Sequence, residues 1–431
     1  MKALDIQEID PFLADLPSWV ALAQLIEDMR LGTVVPFLGA GVSQAVGFPG
    51  WDNAVLQLGR VTDPDLKTLP GDPLFLADRF RQAIHDEKKY LQFYDNVFSC
   101  DDAKQERIRK SALWQALAAL PCLSWITLNY DSALEFALAE LAGRHPISID
   151  WTDRPNLNRF LLGEARTGTV HCLHLHGVVP VDGNNDGGHR SFVFTEQEYQ
   201  QRYLRSDEDR SKLFVVLTSK VMLFVGSSLT DLDLMGVLRE VKAKLGYRGH
   251  RHYAILAEPT ANDEPADRKR DRLRLKYGVE CIYFRNDDGR FAGLPALLRF
   301  LRQAFDQGGR LPLPERLSKT IIDDPHKGRW GMSPVRERFQ ASVEVQKFDG
   351  MLLTMDVIVR GPGKVARFHL HPTFPNEVVT QPFVAGKAGV NLQGWGAFTI
   401  GIEVIDQEGN QVVLEVDLAD YDELPWDFRQ R

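Results

Sequence analysis

TVVPFLGAGVSQAVGFPGW, residues Thr33 to Trp51, decides how the rest of the chain is read. An apolar run, Val34 to Leu38, gives way to Gly39-Ala40-Gly41, and the small polar Ser43 follows where a helix can begin. The order predicts a strand, a tight turn and a helix start. Glycines let a backbone pass close to a bulky anion, and the amides of a helix N-terminus favour phosphate oxygens. The stretch is therefore a candidate nucleotide-phosphate cradle. It is neither the full GxGxxG fingerprint nor a Walker loop, and by itself it is equally compatible with a plain turn. Pro36 sits awkwardly in it, because proline removes a ladder donor and is unusual in a central strand.

Working outward, three further apolar runs end in small or polar clusters. Leu123 to Leu128 ends in Asn129-Tyr130-Asp131, Val170 to Leu175 in His176-Gly177, and Val221 to Val225 in Gly226-Ser227-Ser228. His252 to Leu256 and Val279 to Phe284 follow, on either side of a basic helix at Asp267 to Lys276, and Phe192 to Phe194 reads as a short strand. Helices are expected between them: one capped by Ser18 with Trp19, Leu22, Ile26 and Met29 on one face, then Trp51 to Val61, Leu74 to Phe98, about Ala103 to Leu120, Ser132 to Leu141, more than one over Glu196 to Ser219, and Leu294 to Phe305. Strands alternating with helices over this length predict an α/β, doubly wound parallel sheet. Ligands of such sheets lie at the carboxyl ends of the strands, near the switch in strand order. The polar clusters all fall at strand carboxyl ends and can share one cleft. Each also has a plain explanation: Asn129 and Asp131 can cap the next helix, and His176 can be an ordinary strand-end histidine.

The chain has 431 residues, more than one ordinary core of about 100–200 residues, so two domains are expected. The expected division is 1–306, a linker over 307–336 that opens with Gly308-Gly309, Pro312 and Pro314, and 337–431. A net charge of −8 argues against broad binding to nucleic acid or anionic membrane, and no run approaches the ~18 apolar residues of a membrane span. The acidic, proline-broken N-terminus does not resemble a signal peptide, so a cytoplasmic location is expected. Cys100, Cys122, Cys172 and Cys281 form no CxxC pair and read as buried free thiols rather than disulfides or a zinc site. The segment 181–189, rich in Gly, Asn and Asp, reads as a polar loop. Past Glu337 the pattern becomes short alternating strands, at 341–346, 352–359, 365–370, 397–405 and 411–418, which predict a small antiparallel β-sandwich.

Gly39-Ala40-Gly41-Val42-Ser43, Thr127-Leu128-Asn129-Tyr130-Asp131, Leu175-His176-Gly177 and Gly226-Ser227-Ser228, in this order, resemble the motifs of the sirtuin-like family of NAD-consuming enzymes, in particular its bacterial branch in antiviral defence. The resemblance covers about residues 15–305 and implies a Rossmann-like, sirtuin-type sheet with NAD as ligand and substrate. It implies pyrophosphate contacts at Gly39, Ala40, Gly41 and Ser43, and an adenosine ribose at Gly226 and Ser227. It further implies Asn129 as the residue orienting the nicotinamide ribose and the attacking water, Asp131 at the carboxamide, and His176 as the base facing the ribose hydroxyls. Protein-deacylating sirtuins carry a four-cysteine zinc module between the histidine and the next glycine motif; here 176–226 contains no cysteine, so no zinc is expected and water is the expected acceptor. Leu128 and Tyr130 also depart from the usual glutamine and aliphatic residue beside the asparagine. The expectation is an NAD+ hydrolase releasing nicotinamide and ADP-ribose as an antiphage effector. The alternatives are an NAD-dependent deacylase or ADP-ribosyltransferase, and a nucleotide-binding module without turnover. Relatives often assemble into homo-oligomers, although no feature of this sequence establishes one.

The tail has a resemblance of its own. Leu370-His371-Pro372-Thr373-Phe374 followed by Gly394-Trp395-Gly396-Ala397-Phe398 is similar to the YEATS domain, an immunoglobulin-like β-sandwich that reads acylated lysine. His371, Thr373, Phe374 and Trp395 match its aromatic cage, although Phe374 and Trp395 read equally well as core. The implied partner is an acylated protein or a phage-derived trigger, with the tail acting as sensor.

Overall fold

The computed structural model describes residues 13–429 apart from 152, 164–167, 181–191, 201, 203–206, 230, 246–250, 261–262, 287–288, 290, 308–323, 349–352, 395 and 422. The polar loop expected at 181–189 and Trp395 lie outside the described residues.

Seven parallel strands form the first sheet: β1 (Val34–Leu38), β2 (Ser124–Thr127), β3 (His145–Ile149), β4 (Thr169–His174), β5 (Val221–Val225), β6 (His252–Ala257) and β7 (Val279–Phe284), in the order β3-β4-β2-β1-β5-β6-β7. Its middle strands are continuous apolar runs because helices cover both faces; every residue of β1 and of β5 is buried. One core, around Leu22, Ile26, Val225 and Leu298, fills one face, and a second, around Phe37, Phe160, Leu217 and Phe224, fills the other. From β1 the chain builds outward on one side through β2, β4 and β3, then returns to the other side at β5. The switch point thus lies between β1 and β5, with the loops after Leu38 and Val225 meeting there.

Pro36 is accommodated in this central strand by register. Val221 N bonds Thr33 O and Gly39 N bonds Val225 O, whereas Leu128 N bonds Leu38 O, so even-numbered residues of β1 face β2. Pairing with β2 begins only at Phe37↔Ile126, and the proline therefore turns its donorless nitrogen toward the very start of that ladder.

Several boundaries differ from expectation. The first helix, Leu16–Arg30, is capped by Asp15, whose carboxylate accepts from Ser18 N at 2.9 Å; Ser18 Oγ instead takes Tyr283 N and ties the helix to β7. The helix expected over 74–98 is two, Pro73–Ala83 and Glu87–Phe98, because Ile84 is extended and Asp86 caps a fresh start. The one expected over 103–120 breaks at Ser111, which caps Ala112–Ala118. Residues 192–194 join no sheet among the described residues; Val193 N donates to His176 O at 3.1 Å without a ladder forming. The edge strand β3 and the helix Arg154–Leu162 had not been foreseen. No described helix is long and apolar enough to cross a membrane. All four cysteines are buried and unpaired.

The second unit is a sandwich of two antiparallel sheets. Strands β8 (Val335–Arg336), β9 (Phe339–Phe348), β10 (Leu353–Arg360), β11 (Gly363–His369), β12 (Val378–Pro382), β13 (Lys387–Gly394), β14 (Thr399–Asp406) and β15 (Gln411–Asp417) pair as β13-β10-β9-β8 and β12-β11-β14-β15. β10 and β13 alternate buried and less buried residues as a one-sided sheet must, but β14 is buried on both faces. The reason lies in residues 324–333, which read as linker by composition and pack over the outer face of its sheet before the chain enters β8. The indole of Trp330 lies so close over Gly401 that a Cβ there would sit 2.1 Å from the ring. Glu415 accepts the Gly328 and Trp330 amides, each at 2.7 Å.

Candidate active site

The loops after β1, β2, β4 and β5 converge on one cavity of about 740 Å³, within the range of pockets that hold a nucleotide-sized ligand. Gly39, Ala40, Gly41, Ser43, Asn129, Tyr130, Asp131, His176, Gly226 and Ser227 all line it. The structure thus brings together every residue of the sheet unit for which the resemblance implied a ligand contact or a catalytic part.

The glycines have a structural duty that the sequence did not disclose. Gly39 N bonds Val225 O and Gly41 N bonds Gly226 O, and a Cβ on Gly39 would stand 2.6 Å from Gly226 O. Gly226 itself has φ +66°, with Val42 N 2.7 Å from where its Cβ would be. The two loops flanking the switch point are therefore fused backbone to backbone. With the amides of Gly39 and Gly41 engaged in that seam, they are not the cradle's donors. Ala40, first residue of the short helix Ala40–Gln44, is the motif residue whose amide heads that helix.

Asn129 lies at the centre. Its Nδ2 donates to Gly39 O at 3.1 Å and to Ser43 Oγ at 2.9 Å, and its own amide is held by Thr127 Oγ1 at 3.0 Å. Asp131 accepts from Ala133 N at 3.1 Å, so it does cap the following helix, and it also hydrogen-bonds Ser43. Burial raises this carboxyl to about 6, against the opposing pull of Ser43 and the Ala133 amide. Burial likewise pushes His176 down to about 4, leaving a neutral imidazole that can accept a proton at physiological pH; Asp231 and the Leu128 carbonyl act against that shift. Tyr130 anchors the wall: its hydroxyl donates to Val193 O at 2.5 Å and its ring packs among Tyr94, Phe98, Phe192 and Phe194.

Sequence reasoning missed two groups. Behind Asn129, fully buried His174 contacts Asn129 O through Nδ1 at 3.1 Å and Glu135 Oε1 through Nε2 at 2.7 Å, with Ser148 Oγ donating to the same carboxylate oxygen. Burial disfavours both charges, yet their mutual attraction lowers Glu135 and raises His174, which marks a buried ion pair supporting the asparagine loop. The signal was available: Glu135 stands among apolar residues in ALEFALAELA, a helix whose only other charged residue, Glu140, is near its end and pairs with Arg109. The second group, Tyr199 and Asp231, lines the cavity beside His176; Asp231 stands five residues after Gly226, and nothing in the local pattern marked Tyr199.

In the sandwich, His371, Thr373 and Phe374 share the turn after β11. His371 Nδ1 and Thr373 Oγ1 are 2.9 Å apart, and the half-buried Phe374 packs its ring 5.2 Å from Phe398. Phe374 is thereby partly core, as its plain reading held. Among the described residues, no cluster of three or more histidine, cysteine or acidic side chains is arranged to hold a metal ion.

Comparison with known proteins agrees with this layout. Residues 124–282 match the SIR2-like domain and residues 356–419 the prokaryotic YEATS domain. Proteins named NAD(+) hydrolase ThsA are similar to this chain: that of Cytobacillus dafuensis is 24% identical over 61% of this chain and 50% of its own, and that of Enterococcus faecium 24% over 55% and 46%. The chain thus spans about half the length of the curated relatives it matches. Among solved structures, the YEATS domain of Yaf9 covers 19% of this chain and 77% of its own, at 20% identity and a TM-score of 0.15.

Proposed function

From a chain that carries a SIR2-like domain followed by a prokaryotic YEATS domain, we infer an NAD+ hydrolase that breaks the bond between nicotinamide and ribose and acts as an antiphage effector. The observation that carries this reading is the meeting of Asn129 and His176 with the fused glycine loops around one cavity at the sheet's switch point. NAD stretches across that rim with its pyrophosphate over Ala40 and the glycine seam, its adenosine ribose toward Gly226 and Ser227, and its nicotinamide end toward Asn129, Asp131 and His176. Departure of nicotinamide leaves a cationic, oxocarbenium-like ribose. Fixed dipoles, foremost the Asn129 amide pinned between Gly39 and Ser43, favour that state without having to reorganise. Water then adds to the ribose carbon and passes its proton to the neutral His176 imidazole. Asp131 holds the carboxamide of the leaving group. The sandwich serves as the sensor, with His371, Thr373, Phe374 and Trp395 as its contact set for an acylated protein or a phage-derived trigger.

Incubation of the full chain with NAD, with and without an acylated peptide, tests the reaction. Release of ADP-ribose and nicotinamide independent of peptide is expected; O-acyl-ADP-ribose would make it a deacylase, and absence of product a binding module. Asn129→Ala should lower turnover by a factor of about 10² or more, the usual scale for losing one preorganised polar group, with the fold intact by circular dichroism.

A further inference from the structure

We propose that Tyr199 and Asp231 are positioning residues for His176: a carboxylate holds a phenol, and the phenol holds the imidazole that takes the proton from the attacking water. The proposal rests on the hydrolase reading above. It stands on three segments that are distant in sequence and meet at the cavity wall. Tyr199 Oη donates to Asp231 Oδ2 at 2.8 Å and lies 3.3 Å from His176 Nδ1, and the two rings meet edge to face with centroids 4.8 Å apart. A tyrosine has one hydroxyl proton. Given to the carboxylate, it leaves the phenol oxygen's lone pairs turned toward the ring nitrogen.

Both supports are themselves fixed. Asp231 uses its other oxygen, Oδ1, to accept from Leu234 N at 2.9 Å, capping the helix Leu232–Leu245, so its Oδ2 is aimed by the helix start. Tyr199 closes the short helix Glu196–Tyr199, which carries a full capping box between Thr195 and Glu198. Glu198 also accepts from Tyr90 Oη at 3.1 Å, so the helix Glu87–Phe98 pins this turn from the far side. The arrangement repeats the logic of catalytic bases that are oriented by a third group: the base touches the reacting atoms, and its orienter acts through the base. An imidazole buried this deeply, with Arg202 adding positive charge nearby, gains from a carboxylate one phenol away.

Two conservative variants separate positioning from packing. Tyr199→Phe keeps the ring against His176 and removes only the hydroxyl. Asp231→Asn keeps the helix cap through its amide oxygen, and removes both the charge and the acceptor of the Tyr199 hydroxyl, an NH2 donor standing in its place. In the full chain each should lower kcat for NAD, by up to about 10² if the ring is freed to drift by an ångström, while leaving KM little changed. The double variant should be no worse than the more damaging single one, because both act through the same ring. Independently of any turnover, the His176 imidazole followed by NMR, assigned with His176→Asn, should titrate at lower pH in Asp231→Asn, since a nearby negative charge has gone. A Tyr199→Phe protein with wild-type kcat and an unchanged His176 titration would overturn the proposal. If the wild-type chain turned over no NAD, the hydrolase reading would fall, and the titrations would still decide whether Tyr199 and Asp231 hold the ring.

Discussion

Asn129 shows how one side chain can make a site out of two loops. Its amide reaches Gly39 O across the sheet edge and Ser43 Oγ in the next turn, and Ser43 in turn holds Asp131. The result is a small buried polar cluster with an acid that ionises late. If the Asp131 carboxylate is what seats the leaving group, protonating it removes activity. With its midpoint raised to about 6 by burial, kcat/KM for NAD should fall as pH drops below that value. His176, depressed to about 4, stays neutral through the same range and cannot be the source of that limb. Asp131→Asn, which preserves the cap on Ala133, should abolish the limb near pH 6 whatever its effect on the absolute rate. A pH–rate profile of the two proteins checks this; an acid limb unmoved in the variant would assign it to another group. At this scale the sequence was readable where a motif and a strand end coincide, as at Asn129 and His176. It was silent on Tyr199, His174 and Asp231, whose partners are set by contacts 23 to 45 residues away that no local pattern encodes.

At the level of elements, the strands were legible because parallel central strands must be apolar from end to end, which isolates them from helices in the text of the chain. The exceptions have physical causes. β3 reads HPISI, an edge strand with only its last residue buried, and so lacks the signature. The breaks at Ile84 and Ser111 are capping events, by Asp86 and by Ser111 itself, between segments that each have helix-forming composition. The glycines were read as a place for phosphate, whereas their first effect is to let the β1 and β5 loops touch. Gly226→Ala tests that seam. The variant must place a methyl group 2.7 Å from Val42 N at φ +66°, and such backbone strain costs about 1–3 kcal/mol. A lower melting temperature together with a marked loss of NAD turnover is the expected pair of results, because lifting Ala40 and Asn129 apart dismantles the rim. Loss of stability with full turnover would separate the seam from the site.

The whole molecule places its sandwich beside the sheet unit rather than over the cleft. Every described residue lining the cavity lies at or before Asp231. The contacts between the units run instead through the helix Ala266–Tyr277: Arg336 pairs with Asp271 at 2.6 Å and Asp267 at 2.7 Å, and the Arg274 guanidinium lies 4.3 Å above Trp330. Trp330 in turn stacks on His369 at 4.2 Å, making a three-layer column of arginine, indole and imidazole from one unit into the other. The pattern of the tail could not reveal this, since GRWGM looks like a linker until its tryptophan is seen to fill the hollow over Gly401. Removing that indole should cost the sandwich about 3–5 kcal/mol, as large-to-small changes in a packed core do. It should also cut the column. Calorimetry of Trp330→Ala is therefore expected to resolve an early transition for the sandwich, separate from that of the sheet unit, while turnover of NAD below the early transition stays near the wild-type value because no lining residue has moved. A Trp330→Ala protein as inactive as Asn129→Ala would mean that the helix Ala266–Tyr277 transmits the state of the sandwich to the cavity, and would make the column a route of control rather than a joint.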